Sequence, residues 1–193
     1  RPGLQAGKTV RSLGLPPEAI RDFFFLTAKP VLFVGNTDEK TGPELVKEIE
    51  ALAAARGAGG IALAGKLEAE LAELPSEERG AFLKDMGFSA PGLERVIVAA
   101  FQLLSQISFF TIGDDEVRAW NLTSGRKAPQ AAGRIHTDFE KGFIKAEVYP
   151  FAEIDRHGTE AALREKGLIR SEGKDYVVKD GDVCFFKFSP PGK

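Results

Sequence analysis

The chain has 193 residues, 26 basic and 28 acidic side chains and a formal charge of −2. That length supports one large or two small domains, and 43% hydrophobic with 28% charged residues excludes a disordered chain. No apolar run approaches the ~18 residues of a membrane span. The lone Cys184 excludes a disulfide framework, and two histidines leave little for zinc.

Residues 1–29 are rich in Gly and Pro and read as loop, with Pro17-Glu18 opening a short helix toward Phe25. Pro30-Val31-Leu32-Phe33-Val34 is a short continuous apolar run, as in a strand buried on both faces. Residues 43–55 carry Leu45, Ile49 and Leu52 at helical spacing, with Gly57 as the stop. Ile61-Ala62-Leu63-Ala64 reads as a second buried strand, which completes a βαβ unit. Three helices are expected next, over Glu68–Leu74, Ser76–Met86 and from Pro91 through Leu104.

After Ser105 the pattern becomes strand-rich. Ile107–Thr111 and Val117–Leu122 read as strands joined around Gly113-Asp114-Asp115. A short helix over Pro129–Ile135, a strand over Phe143–Tyr149 and a helix over Thr159–Lys166 follow. Tyr176-Val177-Val178 and Val183–Phe188 flank an Asp-Gly pair, which predicts a hairpin. Residues 106–193 hold 14 basic and 14 acidic side chains, so any nucleic-acid contact there must come from a local patch. Coating of DNA by charge alone is not expected.

Few motifs carry chemistry. Gly60–Leu67 nearly fits the phosphate-loop pattern G-x-x-x-x-G-K-[ST], but Leu67 lacks the hydroxyl that would bind Mg²⁺. Its interior, Ile-Ala-Leu-Ala, also reads as strand rather than as the loop after one. Asn36-Thr37-Asp38-Glu39 directly follows the first apolar strand, where ligands of open α/β sheets bind. Alone, these four residues read as a turn. Ala64-Gly65-Lys66 follows the second strand, and alone Lys66 reads as a solvated loop lysine. If the strands are parallel, the two loops meet at one rim and describe a pocket. His136, with Thr137 and Asp138 beside it, reads as a structural hydrogen-bonding residue, and His157 as a surface loop residue. Cys184 and Trp120 read as core.

Leu26–Glu39 resembles the base-recognition segment of the YchF branch of the Obg-like P-loop NTPases. Lys66–Leu74 resembles the segment after that family's last G-domain strand, and Phe109–Thr111 with Glu116–Trp120 the start of its TGS domain. Ala128–Val148 and Glu172–Val183 are the most specific stretches. The resemblance runs from about residue 5 onward. It implies an α/β parallel sheet from the C-terminal part of a P-loop NTPase G domain, followed by an α+β ubiquitin-like β-grasp (TGS) domain. The expected division is 1–28 as the loop-rich exit from a helical insert, 29–105 as G domain and 106–193 as TGS domain.

The implied function is a cytoplasmic, ribosome-associated regulatory protein that binds and hydrolyses ATP or GTP, with Mg²⁺ held through residues missing from this chain. In this resemblance Asn36, Thr37 and Glu39 line the purine pocket, and Ala64, Gly65 and Lys66 close it. Guanine-selective relatives carry Asn-Lys-x-Asp; Thr37 and Glu39 here displace the carboxylate and weaken guanine's advantage. Ala64 stands where the family loop usually has Ser. The chain starts at Arg1, and the family's phosphate loop lies upstream of the segment matched. It is therefore read as the C-terminal part of a longer NTPase, inactive alone. Ribosome or ribosomal RNA is the implied partner of the TGS domain, with Arg118, Arg126, Lys127, Arg134, Lys141 and Lys145 as candidates for a basic face. The alternative is a non-catalytic module whose TGS domain docks on RNA or protein.

Overall fold

The computed structural model describes residues 2–38, 41, 43–86, 90–113 and 116–189. The chain divides into two compact units, Arg1–Leu104 and Ser105–Lys193. The first begins with α1 (Pro2–Gln5) and α2 (Pro17–Ile20), with 3-10 turns at Val10–Leu13, Arg21–Phe23 and Leu26–Ala28. It continues through β1 (Leu32–Asn36), α3 (Pro43–Ala55), β2 (Gly59–Leu63), α4 (Gly65–Glu73), α5 (Ser76–Asp85) and α6 (Gly92–Leu103).

β1 and β2 are parallel, with Leu32 opposite Gly59 and Asn36 opposite Leu63. α3 is the crossover that parallel pairing requires. Two glycines set how closely it packs. A Cβ on Gly60 would come within 2.8 Å of Ala53 Cβ and 3.2 Å of Glu50 Cα, and one on Gly35 would run into Ile49. After β2, Leu67 and Leu71 of α4 pack with Ala64 and Leu83, and with Leu74 and Phe82 at the margin. β1 starts two residues later than the apolar run suggests, at Leu32. α4 starts at Gly65, so Lys66 lies in a helix's first turn and not in a loop.

The second unit runs β3 (Gln106–Ile112), β4 (Val117–Thr123), α7 (Ala128–Ile135), α8 (Thr137–Lys141), β5 (Phe143–Pro150), α9 (Phe151–His157), α10 (Glu160–Glu165), β6 (Arg170–Glu172) and β7 (Asp182–Phe188). Its sheet has the order β4-β3-β7-β5-β6, with β3 parallel to β7 and the other neighbours antiparallel. One face is covered by α7. Ala128, Ala131 and Ala132 are fully buried there against Phe109, Leu122, Ala146, Val148, Cys184 and Phe186. Three alanines let the helix axis approach the sheet closely. Tyr149, Leu163 and Val183 form a smaller core on the other face, with Ile154 and Leu168. This is the α+β grasp expected of the C-terminal half.

The hairpin expected around Asp180-Gly181 is not formed. Residues 176–178 do not pair with β7; they face 126–128 instead. Ala128 N–H donates to Tyr176 O at 2.8 Å, Val178 N–H donates to Arg126 O at 3.1 Å, and Lys127 bridges Val177. Side chains fix the alternative. Asp182 Oδ2 accepts from Tyr176 Oη at 2.7 Å and from Lys179 N at 2.9 Å, while Asp180 Oδ1 accepts from Ser108 N at 2.7 Å. The acidic turn residues are thus engaged inward, and β7 pairs with β3 and β5.

Candidate functional site

The two loops of the first unit meet. The backbone N–H of Thr37 donates to Leu63 O at 2.8 Å, which continues the β1–β2 pairing to the strand ends. Gly65 N–H then donates to Asn36 Oδ1 at 3.0 Å. Asn36, Thr37, Ala64, Gly65 and Lys66 are therefore gathered at the carboxyl ends of two parallel strands. Ligands of such sheets bind beyond those ends. A Cβ on Gly65 would sit 2.9 Å from Asn36 Oδ1, so the approach of the two loops depends on glycine there. Glu39 lies outside the described residues. Thr41 Oγ1 donates to Asp38 Oδ1 at 2.9 Å and accepts from Asp38 N at 3.0 Å, closing the turn after β1.

Lys66 is highly exposed and sits 3.8 Å from Glu70, four residues on. Ala64 is the residue before α4 and offers no side-chain cap to that helix. The Asn36 carboxamide supplies the acceptor instead. Gly60-Ile61-Ala62-Leu63 lies in β2, which excludes this segment as a phosphate loop. Among the described residues no group of three or more His, Cys, Asp or Glu is placed to hold a metal ion. The described residues thus offer no ligand cluster of their own for Mg²⁺.

The six basic candidates of the second unit do not share one face. Arg118 lies over the Trp120 ring, 4.3 Å from its centroid, and 3.8 Å from Glu116. Lys127 pairs with Asp175 at 2.6 Å, which holds that carboxyl below its ordinary range. Lys141 is in the last turn of α8, a favourable place for a cation beside free carbonyls. Lys145 lies opposite Lys187, on the sheet face away from α7. Arg126 and Arg134 are brought together: both line one open cavity of about 310 Å³ with Asn121, Gln130 and Glu140. Sequence reasoning missed this grouping, because the two arginines meet only through the turn into α7.

Several residues have structural duties. His136 Nδ1 accepts from Asp138 N at 3.2 Å and caps α8. His157 ends α9, not a loop, with Nε2 3.5 Å from Glu153. Cys184 is buried, and burial pushes its thiol well above the usual range. Glu147 is held by Lys187 at 2.6 Å and Arg164 at 2.8 Å, and hydrogen bonds from these two cations lower its carboxyl to about 2.

Comparison with known proteins agrees with this architecture. Residues 106–189 match the YchF GTPase C-terminal family, described as a protein of unknown function (DUF933). The chain is 43% identical over 194 aligned residues to the "Ribosome-binding ATPase YchF" of Escherichia coli O157:H7, covering 97% of this chain and 53% of that protein. It is 43% identical over 180 residues to human "Obg-like ATPase 1", covering 90% of this chain and 45% of that one. The solved Schizosaccharomyces pombe YchF GTPase superposes with a TM-score of 0.77 at 32% identity, over 95% of this chain and 50% of that chain. The chain thus spans about half the length of the curated relatives it matches. On these grounds it belongs to the YchF branch of the Obg-like ATPases and corresponds to their C-terminal part.

Proposed function

We propose that these 193 residues belong to a cytoplasmic, ribosome-associated regulatory NTPase, and that they supply the purine seat and a ribosome-contacting domain. The observation that supports the reading is the 3.0 Å hydrogen bond between Gly65 N and Asn36 Oδ1, which joins the end of β1 to the first turn of α4 at the rim of a parallel sheet. Asn36, Thr37 and Glu39 hold the base of ATP or GTP from one side; Ala64, Gly65 and Lys66 hold it from the other. Glu39 is one methylene longer than aspartate and weakens a bidentate match to guanine, at a scale of ~1–3 kcal/mol per such base contact by analogy with DNA reading.

Phosphoryl transfer depends on positioning and on electrostatic stabilisation of the phosphates. These residues contain no complete phosphate-loop sequence, so the chain binds the base without hydrolysing the nucleotide, and Mg²⁺ enters only with phosphate-binding residues of the longer protein. Calorimetric titration with ATP, GTP and UTP tests the reading. Purine nucleotides should bind, and Asn36→Ala should weaken both by about tenfold, the scale of one charge-independent contact plus lost loop order. Equal competition by UTP would overturn it. Co-sedimentation with ribosomes tests the second half: the relatives named as ribosome-binding ATPases support an association that the chain should show.

A further inference from the structure

The cavity that joins Arg126 and Arg134 is built for more than negative charge. Its walls come from the start of β3 (Gln106), the end of β4 (Asn121), the turn after it (Arg126), both ends of α7 (Gln130, Arg134) and α8 (Glu140). Arg134 Nε donates to Asn121 O at 3.1 Å, which fixes the guanidinium on the strand and leaves its terminal nitrogens as donors. Gln130 Oε1 accepts from Lys127 N at 3.0 Å, which fixes that carboxamide and leaves its NH₂ group as a donor. Glu140 adds a carboxylate acceptor at the same cavity.

A bare phosphate would meet the two arginines but be repelled by Glu140. A nucleotide answers both features, because its phosphate is anionic and its base edge carries N–H donors. A base inside a duplex cannot present that edge to a cavity of about 310 Å³, whereas an unstacked one can. Arginine planes serve for stacking where no aromatic ring lines the site. We propose that this cavity seats one unpaired RNA nucleotide, with its phosphate on Arg126 and Arg134 and its base edge against Asn121, Gln130 and Glu140. The proposal deepens the ribosome-binding reading and rests on it.

The test uses the 193-residue chain with a fluorescent single-stranded RNA 12-mer of mixed sequence, the same strand annealed to its complement, and purified ribosomes. Arg126→Gln and Arg134→Gln should each weaken single-strand binding about tenfold and lower the salt slope by ~0.7 per lost phosphate contact. Lys166→Gln and Lys174→Gln, exposed cations of the second unit outside the cavity, should change it less than about twofold. Glu140→Gln serves as a second probe with the opposite charge change: it should reduce discrimination between guanine- and uracil-containing strands, while a patch acting by charge alone would simply bind every strand more tightly. Equal losses in all four cation variants, or duplex binding as strong as single-strand binding, would overturn the proposal. Ribosome co-sedimentation that survives Arg126→Gln and Arg134→Gln unchanged would overturn the cavity and keep the ribosome reading. Absence of sedimentation by the wild-type chain would remove that reading, and the 12-mer titration would still decide the cavity.

Discussion

Gly65 donates its backbone N–H to Asn36 Oδ1 at 3.0 Å, so the last residue of β1 caps the helix that follows β2. Helix α4 has no local cap, because Ala64 stands at the capping position in extended backbone. A serine there accepts from the second or third amide of the helix. Ala64→Ser should therefore stabilise the first unit by ~1 kcal/mol. Asn36→Ala should destabilise it by a similar ~1 kcal/mol, and less in the Ala64→Ser background. Urea unfolding of the four chains in this cycle measures the coupling; a cycle with no coupling would separate the two capping roles.

The two glycine positions of opposite character give a second check. Gly60→Ala places a methyl against Ala53 and the Glu50 backbone and should cost ~1–3 kcal/mol. Gly80, inside α5, has nothing within 4 Å of an added Cβ, so Gly80→Ala should gain ~0.5–1 kcal/mol from helix propensity. Thermal unfolding monitored by circular dichroism should move in opposite directions for the two variants.

Glu147 makes the second unit acid-sensitive. Its folded-state carboxyl is lowered by Lys187 and Arg164 from the ordinary 4.5 to about 2. A lowered carboxyl contributes stability that is present above the unfolded value and is lost as pH falls through the folded one. The stability difference between wild type and Glu147→Gln should therefore be full above pH 4.5 and shrink toward pH 2. Urea midpoints of both proteins at pH 6, 4 and 3 read this directly, at about these three points of the window.

Cys184 should be inert in the folded chain. It is 2% exposed and its thiol is pushed up by burial, with Asp182 nearby adding to the effect. A thiol reagent at pH 8 should label it only after unfolding, on the timescale of the opening reaction (about this pH lies below the raised thiol value). Stoichiometric labelling of the native protein would contradict the core position.

The βαβ unit was readable from residues alone, because its hydrophobic runs and helical spacing are local. Pro30–Val34 and Ile61–Ala64 read as strands and Leu45, Ile49 and Leu52 as a helix between them, and these elements form; the expected burial on both faces holds for Ile61 and Ala62 of β2 but not for β1, which buries none of its residues and leaves Val34 48% exposed. The meeting of Asn36 with Gly65 followed from parallel pairing, and parallel pairing followed from the helical crossover. The pairing of 176–178 was not readable. The Asp-Gly turn signal is local, whereas the winning bonds from Asp180 to Ser108 and from Ala128 to Tyr176 span the unit. The same holds for the basic residues. Charge spacing along the chain does not say that Lys145 leaves by the far side of the sheet, or that Arg126 and Arg134 share a cavity. Short-range patterning, enforced by burial of apolar faces, determined the elements; only the tertiary structure decided which distant polar groups meet, because hydrogen bonds between them depend on register and packing that no single segment encodes.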